Sequence, residues 1–147
     1  MKILLCNLSY VSVELVSTGP VYTEYAPSNC FIAGWGETAE NLASNQLLSV
    51  DVDIYSDQYC YCDTAMADRF NPSYEFCAGK VDGGKDSCTG DRGGPLICIN
   101  EGNEPVLYGV GSWGEIPAGC GVSNYPGIYA KVSSDIDWII DTIDNHD

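Results

Sequence analysis

Short stretches with a strand-like pattern of apolar and polar positions follow one another from residue 30 to residue 132. Residues 47–54 (LLSVDVDI) alternate apolar and polar side chains, the period of two that is typical of a strand with one buried face. Four other stretches are mainly apolar, which indicates buried strands; they are residues 31–33, 95–99, 106–110 and 128–132. The pattern therefore predicts short strands joined by turns.

The pattern changes to a helical period after residue 132. Ser133, Ser134 and Asp135 are residue types that cap a helix, and the acid lies favourably near the positive end of the helix dipole. The apolar positions that follow recur at helical spacing; they are Ile136, Ile139, Ile140 and Ile143. We therefore predict an all-β domain that ends in a C-terminal helix.

The composition is that of a folded, acidic domain. The chain has 147 residues, 45% of them hydrophobic, which is enough for one domain with a buried core. It carries 21 acidic and 6 basic residues, a formal net charge of −15. The acids are dispersed, which indicates a solvated surface, and the alternative is attraction of a basic peptide or protein ligand. Binding to nucleic acid is excluded, because it needs clustered Lys and Arg.

Eight cysteines are many for a domain of this size, and they predict disulfides formed in an oxidising, extracellular compartment. Cys60-Tyr61-Cys62 is the only close pair, with no second pair or histidine nearby, so we predict no metal site and no cofactor. Residues 1–5 (MKILL) begin like a signal peptide, but polar residues soon interrupt the apolar run. No stretch is long and apolar enough to cross a membrane.

Residues 85–96 (KDSCTGDRGGPL) carry the most specific pattern in the chain. They resemble the nucleophile loop of the trypsin/chymotrypsin-like serine protease family, whose pattern is D-S-C-x-G-D-S-G-G-P-L. In that loop a Gly-rich turn aims two backbone N–H groups at one point, and the serine nucleophile lies on the same turn. Arg92 stands at the position of that serine, while Asp91 and the surrounding glycines match the pattern.

Five other segments resemble the family in its own order; they are residues 30–36 (CFIAGWG), 76–79 (FCAG), 112–114 (SWG), 126–129 (PGIY) and 138–139 (WI). The resemblance implies that residues 30–147 are the C-terminal barrel of a trypsin-like domain, a six-stranded antiparallel β-barrel with a C-terminal helix. Residues 1–29 would be a remnant of the connection between two barrels, with the first barrel largely missing. The bared inter-barrel face would then invite association with another chain.

The resemblance also implies three disulfide pairs, which are Cys30–Cys98, Cys60–Cys77 and Cys88–Cys120. Spacing alone does not choose among the 105 pairings that are open to eight cysteines. Cys6 and Cys62 are left over, and three outcomes stay open for them: pairing with each other, pairing with another chain, or remaining free thiols.

The catalytic triad that the resemblance implies, a serine, a histidine and an aspartate, is not intact in this chain. Arg92 replaces the serine, which leaves the backbone N–H groups of Gly90 and Arg92 as a remnant of the oxyanion hole. The family histidine lies upstream of the matched segments, and His146 is interpreted as a solvated tail residue. Residues 1–8 resemble the end of the aspartate segment, with Lys2 at the aspartate. A guanidinium stays protonated and cannot act as the nucleophile, so we predict an inactive homologue.

The specificity pocket of the family is better preserved. Asp86 matches the acid at the pocket floor of trypsin-like members, where a carboxylate selects Lys or Arg side chains by charge-assisted hydrogen bonds. The other pocket residues that the resemblance implies are Ser112, Trp113, Gly114 and Gly127. Arg92 can fold towards Asp86 and fill the slot, and Asp91 competes for the same guanidinium. Asp91 pairs in the family with an N-terminal amine, so here we expect it to need another cation or solvent.

Three interpretations of the function are open. The first is a non-catalytic binding module that keeps the protease scaffold and a pocket for basic side chains. The second is an active, secreted endopeptidase that cleaves after Arg or Lys and whose recorded sequence is wrong upstream and at residue 92, where one base change separates Ser from Arg. The third is a structural or decoy fragment that associates with another chain.

Overall fold

The structure of the chain is a computed structural model that describes residues 14–15, 29–40, 42–62, 64, 69–114 and 119–145. The interpretations of Lys2, Cys6 and His146 lie outside these residues, as does nearly all of the segment 1–29. The described strands are β1 (Glu14–Leu15), β2 (Cys30–Gly34), β3 (Leu48–Ile54), β4 (Glu75–Gly79), β5 (Pro95–Ile99), β6 (Pro105–Trp113) and β7 (Gly127–Lys131). The described helices are α1 (Asp57–Cys62), a 3₁₀ turn at Val132–Ser134, and α2 (Ile136–Asp144).

Strands β2 to β7 form a closed antiparallel barrel. β2 pairs with β3 and β5, β4 pairs with β3 and β7, and β6 closes the ring by pairing with both β5 and β7. The two-residue β1 lies outside this ring and pairs in parallel with β6. The predicted all-β fold, a six-stranded antiparallel barrel followed by a C-terminal helix, is confirmed.

The barrel interior is filled by alternate residues of the strands. In β3, Val52 and Ile54 are buried while Asp51 and Asp53 are exposed, as the period of two predicts. The residues that share this core are Cys30, Ile32, Val52, Ile54, Phe76, Ala78, Leu96, Cys98 and Tyr129. The Phe76 ring spans the interior so closely that a Cβ on Gly109 of β6 would lie 2.5 Å from it. Glycine is therefore required at that position.

Three disulfides join the described elements, Cys30–Cys98, Cys60–Cys77 and Cys88–Cys120, the same pairs that the resemblance implies. Cys30 and Cys98 lie directly opposite each other on β2 and β5, so their bridge is part of the barrel core. The second bridge ties α1 to β4, and the third ties the loop before β5 to the segment before β7. Cys62 ends α1, and its side chain lies outside the described part of the structure.

The C-terminal helix begins where the pattern predicts, but its cap and its apolar face differ from the prediction. Asp135 makes no capping hydrogen bond with its side chain, and one of its carboxylate oxygens lies 2.9 Å from the Ser134 hydroxyl. Ile139 packs against the cluster that holds Val106 and Val132, whereas Ile140 is exposed, as are Ile143 and Trp138. None of the described helices is long and apolar enough to cross a membrane.

The apolar runs 106–110 and 128–132 predicted the ends of their strands imperfectly. β6 continues to Trp113, because it pairs with β7 through a bulge between Gly111 and Trp113 that the local apolar pattern does not show. β7 ends at Lys131, and Val132 starts the 3₁₀ turn. Helix α1 was not predicted at all; its six residues hold too few apolar positions to show a helical period.

Candidate functional site

The segment between β4 and β5 carries the G-D-R-G-G turn on which Arg92 lies. Gly90 and Gly93 have φ angles of +99° and +82°, a region that glycine enters without strain. The Gly93 N–H donates to the Gly111 carbonyl at 2.8 Å, and the Gly111 N–H donates to the Gly94 carbonyl at 2.8 Å. This pair of bonds fixes the turn against β6, and it leaves the Arg92 side chain exposed at the tip.

Two backbone N–H groups of the turn lack acceptors. The Thr89 carbonyl accepts from the Glu37 N–H at 2.9 Å. Because C=O and N–H point in opposite directions across a trans peptide, the N–H of Gly90 points away from Glu37. Neither Gly90 nor Arg92 donates its backbone N–H to any acceptor in the described part of the chain. The turn therefore presents two donors that a bound anion or carbonyl oxygen can use.

Asp91 is held by backbone donors, and it forms no ion pair with any Lys or Arg of the described residues. Its Oδ1 accepts from the Gly36 N–H at 2.7 Å, and its Oδ2 accepts from the Cys88 N–H at 3.0 Å. A Cβ on Gly34 would lie 1.9 Å from Oδ1, so the glycines around Trp35 make room for this carboxylate. The expectation that Asp91 needs another cation or solvent is wrong, because the two N–H groups satisfy it.

Asp86 is largely buried and unpaired. It lines a cavity of about 210 Å³, its Oδ1 accepts from the Ser87 N–H at 2.7 Å, and a Cβ on Gly127 would lie 2.6 Å from the same oxygen. No ion pair joins Asp86 to any Lys or Arg within the described ranges. Burial raises the pKa of the Asp86 carboxyl to about 6, against the opposing effect of the hydrogen bond from Ser87. A cation that enters this cavity would stabilise the charged form.

Asp86 also lies in the wall of a second, larger cavity of about 520 Å³ that Asp91 and Tyr129 line as well. The Tyr129 hydroxyl donates to Ser87 Oγ at 3.1 Å, and burial raises the pKa of Tyr129 above its ordinary value. Ser87 is thus fixed between the two cavities, on the wall that the Cys88–Cys120 bridge also borders.

Comparison with known proteins agrees with this geometry. The family model described as Trypsin matches residues 11–139 of the chain. The chain belongs to the trypsin-like serine protease family. It is 41% identical over 117 residues to Transmembrane protease serine 5 of Homo sapiens, which covers 78% of this chain and 24% of that protein.

Two other relatives of the chain are similarly distant. Hepatocyte growth factor activator serine protease of Mus musculus is 42% identical over 116 residues, which cover 78% of this chain and 17% of that protein. Complement factor I of Rattus norvegicus is 34% identical over 132 residues, which cover 86% of this chain and 21% of that protein. The chain spans less than a quarter of the length of each of these curated relatives.

In this trypsin-family chain, the residues that the sequence placed at the pocket do meet at one cavity. The lining of the 210 Å³ cavity includes Asp86, Gly90, Arg92, Ser112, Trp113, Gly114 and Gly127. A Cβ on Gly114 would meet nothing within 4 Å, so a side chain there would project into open space. Of the two contacts that the sequence left open for Arg92, the structure forms neither, since no ion pair joins its guanidinium to Asp86 or Asp91.

Trp113 is positioned by groups that sequence reasoning missed. Its indole Nε1–H donates to Glu75 Oε1 at 2.8 Å, and the Arg69 guanidinium lies 4.7 Å from the centre of its ring. The second oxygen of Glu75 accepts from the Asn71 N–H at 2.9 Å. The one available signal was an acid directly before the FCAG motif, and nothing in the sequence connects it to a tryptophan 38 residues away.

Proposed function

We propose that this chain is a non-catalytic member of the trypsin family that binds basic side chains. The observation that carries the proposal is that Asp86, a partly buried carboxylate with no ion pair among the described residues, lines the same cavity as Arg92, which replaces the nucleophile. The first residue selects a Lys or Arg side chain, and the second removes the chemistry that would cleave the adjoining peptide bond. The natural ligand in this proposal is a basic peptide or protein.

Inactivity is supported by the chemistry of Arg92. Acyl transfer needs an oxygen or sulfur nucleophile that a base can deprotonate, whereas a guanidinium is protonated at every physiological pH and donates hydrogen bonds only. The nearest serine in sequence is Ser87, whose hydroxyl accepts from the Tyr129 hydroxyl and which lies beside Asp86 on the cavity wall. Ser87 is therefore part of the wall around the basic side chain, where no scissile carbonyl would lie.

Binding is supported by the electrostatics of Asp86. The carboxyl is held in surroundings that penalise its charge, so a Lys or Arg head group that reaches it replaces lost solvation with a charge-assisted hydrogen bond. A cavity of about 210 Å³ is large enough for one long side chain and smaller than the sites that hold whole drug-sized ligands. The ligand in this proposal is recognised through a single basic residue, and we expect weak binding.

The same proposal places the chain in an extracellular compartment. Three disulfides are formed within the described residues, and such bonds persist where the surroundings are oxidising. The proposed binding unit is the barrel with α2, residues 30–147. The unit would associate with another chain through its exposed inter-barrel face. Three apolar residues of α2, Trp138, Ile140 and Ile143, are also exposed.

Calorimetric titration of the full chain with benzamidine tests this proposal. We expect weak binding to the native chain, no binding to Asp86→Asn, and tighter binding to Arg92→Ser, because that change removes a positive charge from the cavity. Asp82→Asn is the matched control, since it removes the same charge from an exposed position in the same loop. Unchanged benzamidine binding in Asp86→Asn would show that the pocket assignment is wrong.

A parallel assay tests inactivity. The chain should not hydrolyse benzoyl-arginine ethyl ester above background. Hydrolysis that a serine-directed covalent inhibitor abolishes would contradict the proposal, whatever the titration shows.

A further inference from the structure

We propose that the cavity is a receptor for a peptide that ends in Lys or Arg with a free carboxyl group. The basic side chain would lie on Asp86, and the terminal carboxylate would lie on Arg92 and the free N–H groups of the turn. This inference rests on the proposed function, since it keeps the Asp86 slot for the side chain. It adds an anion site at the same cavity and so names the class of ligand.

The first support is the pair of unused backbone donors. The Gly90 N–H is turned away from Glu37 by the hydrogen bond on the preceding carbonyl, and the Arg92 N–H also has no acceptor in the described part of the chain. In a protease, such donors hold a carbonyl oxygen that becomes negative only for the moment of reaction. A carboxylate carries that charge permanently, so it makes fuller use of the same donors.

The second support is the availability of the Arg92 guanidinium. Asp91, its neighbour in sequence, directs both carboxylate oxygens to the backbone N–H groups of Gly36 and Cys88. Asp86 forms no ion pair with it, although both residues line one cavity. The Arg92 side chain is exposed, and its fork of donors matches the two oxygens of a carboxylate.

The third support is that this guanidinium is unusual among the cations of the chain. The chain has 21 acidic and 6 basic residues, so a basic side chain has many acids to pair with. The described lysines all have acidic partners, and Arg69 lies over the Trp113 ring. Within the described ranges, Arg92 is the one basic residue that forms neither an ion pair nor a contact with an aromatic ring.

These observations place a lone anion and a lone cation on the wall of one small cavity. A single ligand that satisfies both must carry a cation and an anion. A C-terminal Lys or Arg residue has both groups, whereas an internal Lys or Arg offers Arg92 only a neutral amide. The replacement of serine by arginine would therefore convert a site that acts on internal basic residues into one that retains the C-terminal product of such cleavage.

Titration of the full chain with benzoyl-glycyl-arginine, as the free acid and as the amide, tests this inference. We expect the free acid to bind at least about tenfold more tightly than the amide, the size of one favourable charged hydrogen-bond pair. In Arg92→Gln the ratio should fall well below that of the native chain, because the neutral side chain contributes no charge and only the two backbone N–H groups still favour a carboxylate. In Arg92→Lys, which keeps the charge but loses the fork of donors, an intermediate ratio is expected. Arg92 is exposed, so these variants should fold, and their circular dichroism should match that of the native chain.

The outcomes separate this inference from the proposed function. Equal affinities for acid and amide overturn the carboxylate receptor, and benzamidine binding that still depends on Asp86 would leave the pocket itself intact. A preference for the acid that is as large in Arg92→Gln as in the native chain also overturns the role given to Arg92. If the native chain shows no benzamidine binding that depends on Asp86, the proposed function is overturned, and so is this inference, which rests on it.

Discussion

Replacing Asp86 with asparagine should stabilise the chain at pH 8 and leave its stability almost unchanged at pH 4. The reason is that burial raises the pKa of the Asp86 carboxyl from the ordinary 3.8 to about 6, and no Lys or Arg of the described residues forms an ion pair with it. A raised pKa means that the folded state binds the proton more tightly than the unfolded state does. The resulting stability is fully present below about pH 4 and is lost as the pH rises through about 6. Asparagine has no charge to bury at any of these pH values.

The magnitude follows from the size of that change in proton affinity. The rise from 3.8 to about 6 corresponds to about 3 kcal/mol, at about 1.4 kcal/mol for each tenfold change in affinity. The side chain is not fully enclosed, and residual solvation reduces the effect, so we expect a gain of about 2–3 kcal/mol for Asp86→Asn at pH 8. The amide oxygen of asparagine can still accept the Ser87 N–H, so this hydrogen bond is retained in the variant.

Urea unfolding of both proteins at intervals between pH 4 and pH 8 gives the difference in free energy directly. Taking the difference removes the titration of the other acids, which both proteins share. The control variant Asp82→Asn, at an exposed position, should give a difference that is nearly flat over this range. A flat difference for Asp86→Asn would refute the argument from burial, and so would a difference that favours the native chain as the pH rises.

Two other substitutions test the surface and the core. Two lysines donate to the exposed carboxylate of Asp51 and lower its pKa to about 2, so Asp51→Asn should reduce stability above about pH 4, with the effect disappearing as the pH falls through about 2. Added salt should shrink this effect in urea unfolding at neutral pH, and an effect that high salt leaves unchanged would contradict the assignment. Gly109→Ala should lower the free energy of unfolding by about 1–3 kcal/mol in the same assay, because its Cβ would meet the Phe76 ring. The double variant with Phe76→Leu should lose less free energy of unfolding than the sum of the two single losses. Strict additivity of those two changes would show that the ring contact is not the cause.

The parts of the fold that sequence could predict are those in which one residue type repeats at a fixed spacing. Val52 and Ile54 point inward because the hydrophobic effect favours burying apolar side chains, and the alternation of apolar and polar residues in β3 is visible in the sequence. The end of β6 could not be read in the same way, since the bulge near Gly111 depends on the position of β7. Likewise, the exposure of Ile140 depends on how α2 leaves the barrel, which its own amphipathic pattern does not contain.

The candidate site, too, could be predicted from the sequence only in part. The residue types at positions 86 and 92 could be placed by the loop motif alone, because the motif fixes the backbone turn that carries them. Whether Asp91 is available to pair with Arg92 is decided by two backbone donors, the N–H of Cys88 in the same loop and the N–H of Gly36 just after β2. The Gly36 N–H, 55 residues away, accounts for one oxygen of Asp91, and no local pattern predicts that bond.

The turn keeps its shape for reasons that do not involve the side chain at residue 92. Its conformation is set by the positive φ angles of Gly90 and Gly93, by the hydrogen bonds to Gly111, and by the carboxylate of Asp91. The residue at the tip is exposed and contributes none of these contacts, so exchanging its side chain leaves the turn in place. The requirements of folding and of chemistry thus fall on different residues of one short loop. Because of that separation, a protease scaffold can lose its nucleophile and still present a shaped, charged cavity to a ligand.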